Sequence, residues 1–379
     1  MQNPNKRKSI LNKIGDSFID DGKIDLSDEV KERIASEIKV DRENSEYFEG
    51  EKEKVFKAII DRNNKKPSSS SNLVYWLVGT AASIILCVNV IFFFSTKSEP
   101  GNEQTVVDSE IEIGTDKATL TLHNGTNVLL EQGTSYQSSN AKSNGEQIVY
   151  NTGKKPNSEI AYNYLTIPRG GQFLVKLSDG TQVWLNSESQ LKFPVNFEPN
   201  KTREVELVYG EAYFDVSPST EHNGARFRVM NDHQEIEVLG TEFNVKAYKD
   251  ESNIYTTLVE GKVALNVSDN GNNIIMLPNQ QVKLDLSTNQ TTLVPVNVYN
   301  ETSWRKGVFS FNEKNLEEIM IVLSRWYDVE IIFANDDLKN VLFDGSLGKD
   351  ESITDLLTIF KNAKLINAYD IKQKTITLN

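Results

Sequence analysis

A single cysteine, Cys87, occurs in 379 residues, which excludes a disulfide framework and any zinc centre built on thiolates. Histidine is nearly as scarce. His123, His222 and His233 form no HExxH and no i, i+4 pair, so the sequence predicts no metal site and no cofactor, and a nucleophilic triad has few bases to draw on. No phosphate-cradling GxxxxGK is present: Gly261-Lys262 is followed by Val263 and lacks the upstream glycine. No GxSxG elbow occurs either, because DGSLG around Ser346 has the wrong spacing. Acids are plentiful but fall at turn or exposed-face positions, which disfavours a paired-carboxylate hydrolase. Excess positive charge is also missing. The net charge is −13, whereas a free-standing nucleic-acid binder needs basic surface to displace counterions. With 38% hydrophobic and 25% charged residues, the chain has what an ordinary folded core requires.

What is present divides the chain. Residues 73–95, LVYWLVGTAASIILCVNVIFFFS, carry no charge, and thirteen of them are Leu, Ile, Val or Phe. As a helix this run would be about 34 Å long, against a hydrocarbon core of about 30 Å. It predicts a single membrane span with Cys87 packed inside it. A cleaved signal peptide does not fit, because 72 charge-rich residues precede the run. Lys57, Arg62, Lys65 and Lys66 crowd its N-terminal flank, followed by a PSSSSN hinge at 67–72, whereas Lys97 stands beside Glu99 and Glu103 beyond it. The positive-inside rule then places the N-terminus in the cytoplasm and residues 96–379 outside it. Residues 1–72 hold 15 basic and 15 acidic side chains, so the whole acidic excess lies outside.

The segment 1–66 reads as a helical handle. Leu11, Ile14 and Phe18 recur at helical spacing, as do Ile34 and Ile38 with Val30. Three short amphipathic helices make a marginal core, so these stripes suit either burial against a partner or a small self-contained bundle. An acidic stretch at 20–29 mimics half of a calcium loop, but its third ligand position would be Ile19, which cannot coordinate.

After a linker at 96–117, the residues from 118 to about 300 alternate apolar and polar in short runs punctuated by Gly, Asn and Asp, the period of half-buried strands. A repeat at an offset of 55 residues matches LTLHNGTNVLL (120–130) to VKLSDGTQVWL (175–185). Each copy reads as a hairpin whose Asn-Gly or Asp-Gly supplies two positive-φ residues. An all-β domain follows, either a sandwich or a solenoid. Trp184, Phe193, Tyr213, Phe214 and Phe243 fall at strand positions expected in its core, and Arg169-Gly170-Gly171 reads as a bend. From 301 to 379 the period changes. The order β-α-β-β-α-β-β emerges, with Asn312 or Asn315 and Ser352 as helix caps and Trp326-Tyr327 ending the first helix. This is a compact α+β unit able to bury both helices on one sheet face.

IPRGGQFLVKLSDGTQVWLNSESQLKFPVNF (167–197), REVELVYGEAYFDV (203–216), VLGTEFNVKAY (238–248) and TTLVEGKVAL (256–265) together resemble, in order, the FecR-like anti-sigma regulators. FSFNEKNLEEIMIVLSRWYDVEIIF (309–333) resembles the domain that follows FecR domains in Bacteroidetes-type members, related to the short N-terminal domain of secretins and TonB-dependent receptors. The resemblance implies a regulator rather than an enzyme. Its cytoplasmic helices would hold an extracytoplasmic-function sigma factor through Leu11, Ile14, Phe18, Ile34 and Ile38. Its outer domains would sense the signalling domain of a TonB-dependent outer-membrane receptor, with Trp326 and Tyr327 either core residues or candidate contacts, and a periplasmic or intramembrane protease as a further partner. Some relatives cut themselves at the motif matched here by Gly240-Thr241; otherwise that glycine serves a turn and Thr241 packs. A second class remains open, a membrane-anchored periplasmic β-rich protein binding a glycan or protein, whose N-terminus would be dispensable.

Overall fold

The structure, a computed structural model, describes residues 111–151, 160–267 and 273–379, all within one compact unit spanning Gln104–Asn379. The handle residues Leu11, Ile14, Phe18, Ile34 and Ile38, the hinge and the uncharged run 73–95 lie outside the described residues. Among the described residues no helix is long and apolar enough to cross a membrane.

Among the described residues, eighteen strands follow one another from Thr115. They are β1 (Thr115–Thr121), β2 (Asn127–Glu131), β3 (Tyr136–Gln137), β4 (Ala141–Ser143), β5 (Gln147–Tyr150) and β6 (Tyr162–Ile167). Next come β7 (Gly171–Lys176), β8 (Gln182–Leu185), β9 (Ser189–Pro194), β10 (Arg203–Asp215), β11 (Phe227–Asn231) and β12 (Gln234–Val238). The series ends with β13 (Glu242–Ala247), β14 (Asn253–Glu260), β15 (Val263–Val267), β16 (Asn273–Met276), β17 (Gln280–Asp285) and β18 (Gln290–Pro295). One sheet runs β2-β1-β6-β9-β10-β11-β12-β15-β16 and the other β3-β4-β5-β7-β8-β10-β13-β14-β17-β18.

The two sheets enclose one apolar core, in which Leu120, Leu191 and Leu265 of the first meet Val175, Phe214 and Phe243 of the second. Of the two β architectures the sequence left open, this is the sandwich, although the chain builds it as a solenoid would. The hairpins β11–β12, β13–β14, β15–β16 and β17–β18 are laid on alternate sheets.

Strand β10 belongs to both sheets. Its first half pairs with β9 and β11, its second with β8 and β13, and the register shifts between Leu207 and Tyr209. The bulge has a clear physical purpose. Val205 and Leu207 point into the core from the first sheet, but Ala212 and Phe214 do so from the second. A strand that crosses to the opposite sheet must exchange its inward face, and one extra residue does that.

The repeated hairpins are β1–β2 and β7–β8, one in each sheet. Their turns share the same bonds. Leu122 N–H donates to the Thr126 carbonyl as Leu177 does to Thr181, and the Asn124 and Asp179 side chains accept from Thr126 N–H and Thr181 N–H. Only Gly125 and Gly180 adopt positive φ, at 83° and 91°. The expected two-residue turn is therefore corrected to a three-residue loop closed by a glycine bulge.

A short helix α1 (Val298–Thr302) and a 3-10 turn (Ser303–Lys306) lead into the C-terminal domain. Its elements are β19 (Val308–Asn315), α2 (Leu316–Tyr327), β20 (Glu330–Phe333), β21 (Leu342–Gly348), α3 (Ile353–Asn362), β22 (Tyr369–Lys372) and β23 (Thr375–Leu378). The expected order holds. So do the caps at Asn315, reciprocated by Glu318 in a capping box, and at Ser352. The single sheet does not: among the described residues β19 pairs only with β21, and β20-β23-β22 form a separate three-stranded sheet. Met320, Leu323, Leu357 and Phe360 from α2 and α3 fill the core they share.

Candidate functional site

The last turn of α2 meets the outer face of the second sheet at a joint made of charge. Arg325 is buried, and its guanidinium reaches three carboxylates: Glu251 at 2.6 Å, Asp250 at 2.6 Å and Glu188 at 3.3 Å. It lies 3.6 Å from the centroid of the Tyr248 ring, a cation–π contact. Arg169 answers from the sandwich. Its guanidinium donates to the Ser324 and Val329 carbonyls at 2.7 and 2.8 Å, satisfying the open end of α2, and pairs with Glu188 and Asp328. Two arginines from opposite domains thus share one glutamate. The Gly170 N–H completes the contact by donating to the Arg325 carbonyl at 2.7 Å.

Beneath this layer lies Glu211, buried on β10, which accepts from Asn186 and Asn244 side chains at 2.8 and 2.9 Å. Burial pushes its carboxyl above the usual range, opposed by nearby Lys246 and by the two amides. Trp304 donates its indole N–H to Asn244, so this polar chain ties the inter-domain turn to the sheet. Tyr213 and Trp184 also stand on this outer face, beneath the Arg305 guanidinium, rather than in the sandwich core as expected. Phe193, Phe214 and Phe243 occupy that core as predicted.

Lys349, buried after β21, faces the Trp326 ring at 3.6 Å and donates to the Gln172 side chain at 2.8 Å. Burial lowers its pKa from 10.5 to about 7, against the pull of Glu211 and Asp116. Between those values the unfolded chain holds a proton that the folded one has released, so stability rises with pH across the window and is flat below it. Replacing Lys349 by Met should abolish that slope, as read from Tm at pH 7, 8 and 9.

A groove of about 750 Å³ runs beside the joint between α2 and β20, lined by Met320, Ile321, Ser324, Ile331, Ile332 and Phe333, with Arg169 and Asp328 at one end. Among the described residues, strand β20 is an edge. Glu330 N–H donates to Lys374 and Ala334 N–H to Leu378 across the parallel pairing with β23. By the alternation of that ladder, the backbone groups of Ile331 and Phe333 face away from β23.

The sequence-predicted site residues fall elsewhere. Trp326 and Tyr327 are 5% and 2% exposed, members of the C-terminal core. Trp326 donates to the Lys349 carbonyl and Tyr327 to that of Glu351, so neither ring offers surface to a receptor. Gly240 adopts φ 152° at the entry to β13, where a Cβ would meet Pro218 Cα at 3.0 Å. Thr241 is buried and its hydroxyl donates to the Lys262 carbonyl at 3.1 Å, an arrangement that suits a turn glycine and a packed threonine. The residues missed were Arg169, Arg325, Glu211 and Lys349. Their one local signal was the basic residue in the last turn of α2, where the helix dipole favours it. Among the described residues no group of His, Cys, Asp and Glu could hold a metal ion.

The FecR protein family matches residues 163–264, covering the middle of the sandwich, and the FecR C-terminal family matches 308–378, which is the domain that carries the groove. The chain is FecR-like. Two crystal structures of a candidate anti-sigma factor from Parabacteroides distasonis ATCC 8503, at 1.65 and 2.50 Å resolution, are similar in fold. Each has 25% sequence identity, a TM-score of 0.51, and coverage of 57% of this chain and 98% of its own. No curated protein matches the FecR-like chain.

Proposed function

We propose that this FecR-like chain is a membrane-spanning anti-sigma regulator. Residues 1–66 bind an extracytoplasmic-function sigma factor in the cytoplasm, and 73–95 cross the inner membrane. The sandwich and C-terminal domain stand in the periplasm, where they take a signal from a TonB-dependent outer-membrane receptor. The observation that carries this reading is the order of parts: a charge-free 23-residue run followed by FecR and FecR C-terminal domains. The joint supports it as well, being built to hold and release rather than to react. Its charged groups are paired with one another across two domains, and none is a nucleophile beside a base. The deciding experiment is capture of a sigma factor by tagged residues 1–66; a handle that captures none, in a chain that works without it, would leave only an anchored binding protein.

The β20 edge is the natural receptor contact, because an incoming strand can add there by backbone pairing. Ile331→Pro removes an outward N–H and should abolish receptor-dependent induction of a sigma-factor reporter, at a stability cost of about 1–2 kcal/mol because its side chain packs partly on the C-terminal core. Ile332→Pro, whose N–H faces β23, should instead destabilise the domain by about 3 kcal/mol.

A further inference from the structure

Residues 111–114 precede β1 and belong by sequence to the sandwich, yet Ile111 and Ile113 pack on the C-terminal core. Glu112 between them is exposed, so the stretch lays alternate side chains on that domain. Gly114 then passes under Trp326 so closely that a Cβ would lie 2.6–2.7 Å from three indole carbons. Its φ is outside the positive region, so crowding by the indole, rather than backbone conformation, requires glycine here. The next residue is pinned on the sandwich side. Thr115 N–H donates to the Gly170 carbonyl at 3.0 Å, Thr115 pairs with Gly171, and Gly170 N–H donates to Arg325. The stretch therefore runs between the start of β7 and the last turn of α2.

We infer that residues 111–114 form a strap clamped by the last turn of α2, released when α2 shifts from the sandwich. The strap lies in sequence between the uncharged run 73–95 and the sandwich, and α2 is also the helix that walls the β20 groove. A movement of α2 would thus alter how the sandwich and C-terminal domain hold residues 111–114. The clamp stands on the contacts alone; its use in signalling rests on the function proposed above.

Hydrogen–deuterium exchange on the full-length chain in lipid nanodiscs tests the clamp. Amides in the peptide covering 111–116 should exchange at least ten-fold faster in Gly114→Leu, whose side chain has no room beneath the indole. Arg325→Ala, which loosens α2 without touching the strap, should do the same. Should Gly114→Leu also expose the α2 amides, the double variant Ile111→Ser/Ile113→Ser frees the strap while keeping every side chain of α2. Strap amides that exchange in the unaltered chain as fast as in the variants, or variants that leave the unaltered rate unchanged, overturn the clamp. The assay contains neither receptor nor sigma factor, so that failure leaves the regulator reading standing, while an empty capture by residues 1–66 sinks the regulator and leaves the clamp.

Discussion

Replacing Arg203 by Ala should cost the sandwich about 3–5 kcal/mol, the range for removing one partner of a buried ion pair. Arg203 and Asp179 are each 2% exposed and pair at 2.8 Å. The guanidinium also donates to the Ser217 and Ala225 carbonyls and lies 5.4 Å from the centroid of the Phe227 ring. Without it, the Asp179 carboxylate keeps only Thr181, through the amide at one oxygen and the hydroxyl at the other, and two carbonyls lose a donor inside the protein. The pair itself adds little stability, since its Nε is buried without a partner and both charges were taken out of water. The double variant Arg203→Met/Asp179→Asn should therefore recover most of the loss. In thermal unfolding the single variant should fall by about 10 °C. A single variant within a degree of the unaltered protein would show that water reaches the site.

Local chemistry made much of this architecture readable. Asn315 followed by Glu318, and Ser352 before an apolar stripe, announce helix starts because the orphan N–H groups of a first turn need acceptors nearby in sequence. The 55-residue repeat was visible because a bulged hairpin demands the same Asx-Gly pair wherever it occurs. What stayed hidden was set by distance along the chain. Trp184 and Tyr213 occupy good strand positions, but period two cannot say which face a second domain will cover. Trp326 and Tyr327 could be read as core or as receptor contacts at a helix end, because the Gly114 strap lies more than two hundred positions upstream. Arg169 meets the end of α2 across 155 residues, and within its own neighbourhood RGG reads only as a bend. The division of the C-terminal strands into two sheets is hidden for the same reason, since pairing between strands leaves no mark on either one alone.

The second large effect should come from Arg325→Ala, expected to weaken docking of the C-terminal domain by about 2–3 kcal/mol. The value falls below that for Arg203 because its partners differ in burial. Asp250 is 64% exposed and Glu188 38%, so water takes over much of their solvation and those two bonds count for little. Glu251 is the more buried partner, yet Lys246 still pairs with it at 2.8 Å once the guanidinium is gone. What is lost is chiefly the stacking on Tyr248 and the packing of the arginine stem. Neither apolar core contains Arg325, so the variant should leave both folded and uncouple them. Calorimetry should resolve two transitions where the unaltered protein gives one. Arg169→Ala should act less strongly, its side chain being one-third exposed. Because both arginines draw on Glu188, the double variant should depart from additivity by at least about 0.5 kcal/mol. Strict additivity would mean that the joint is two separate contacts and that Glu188 links nothing.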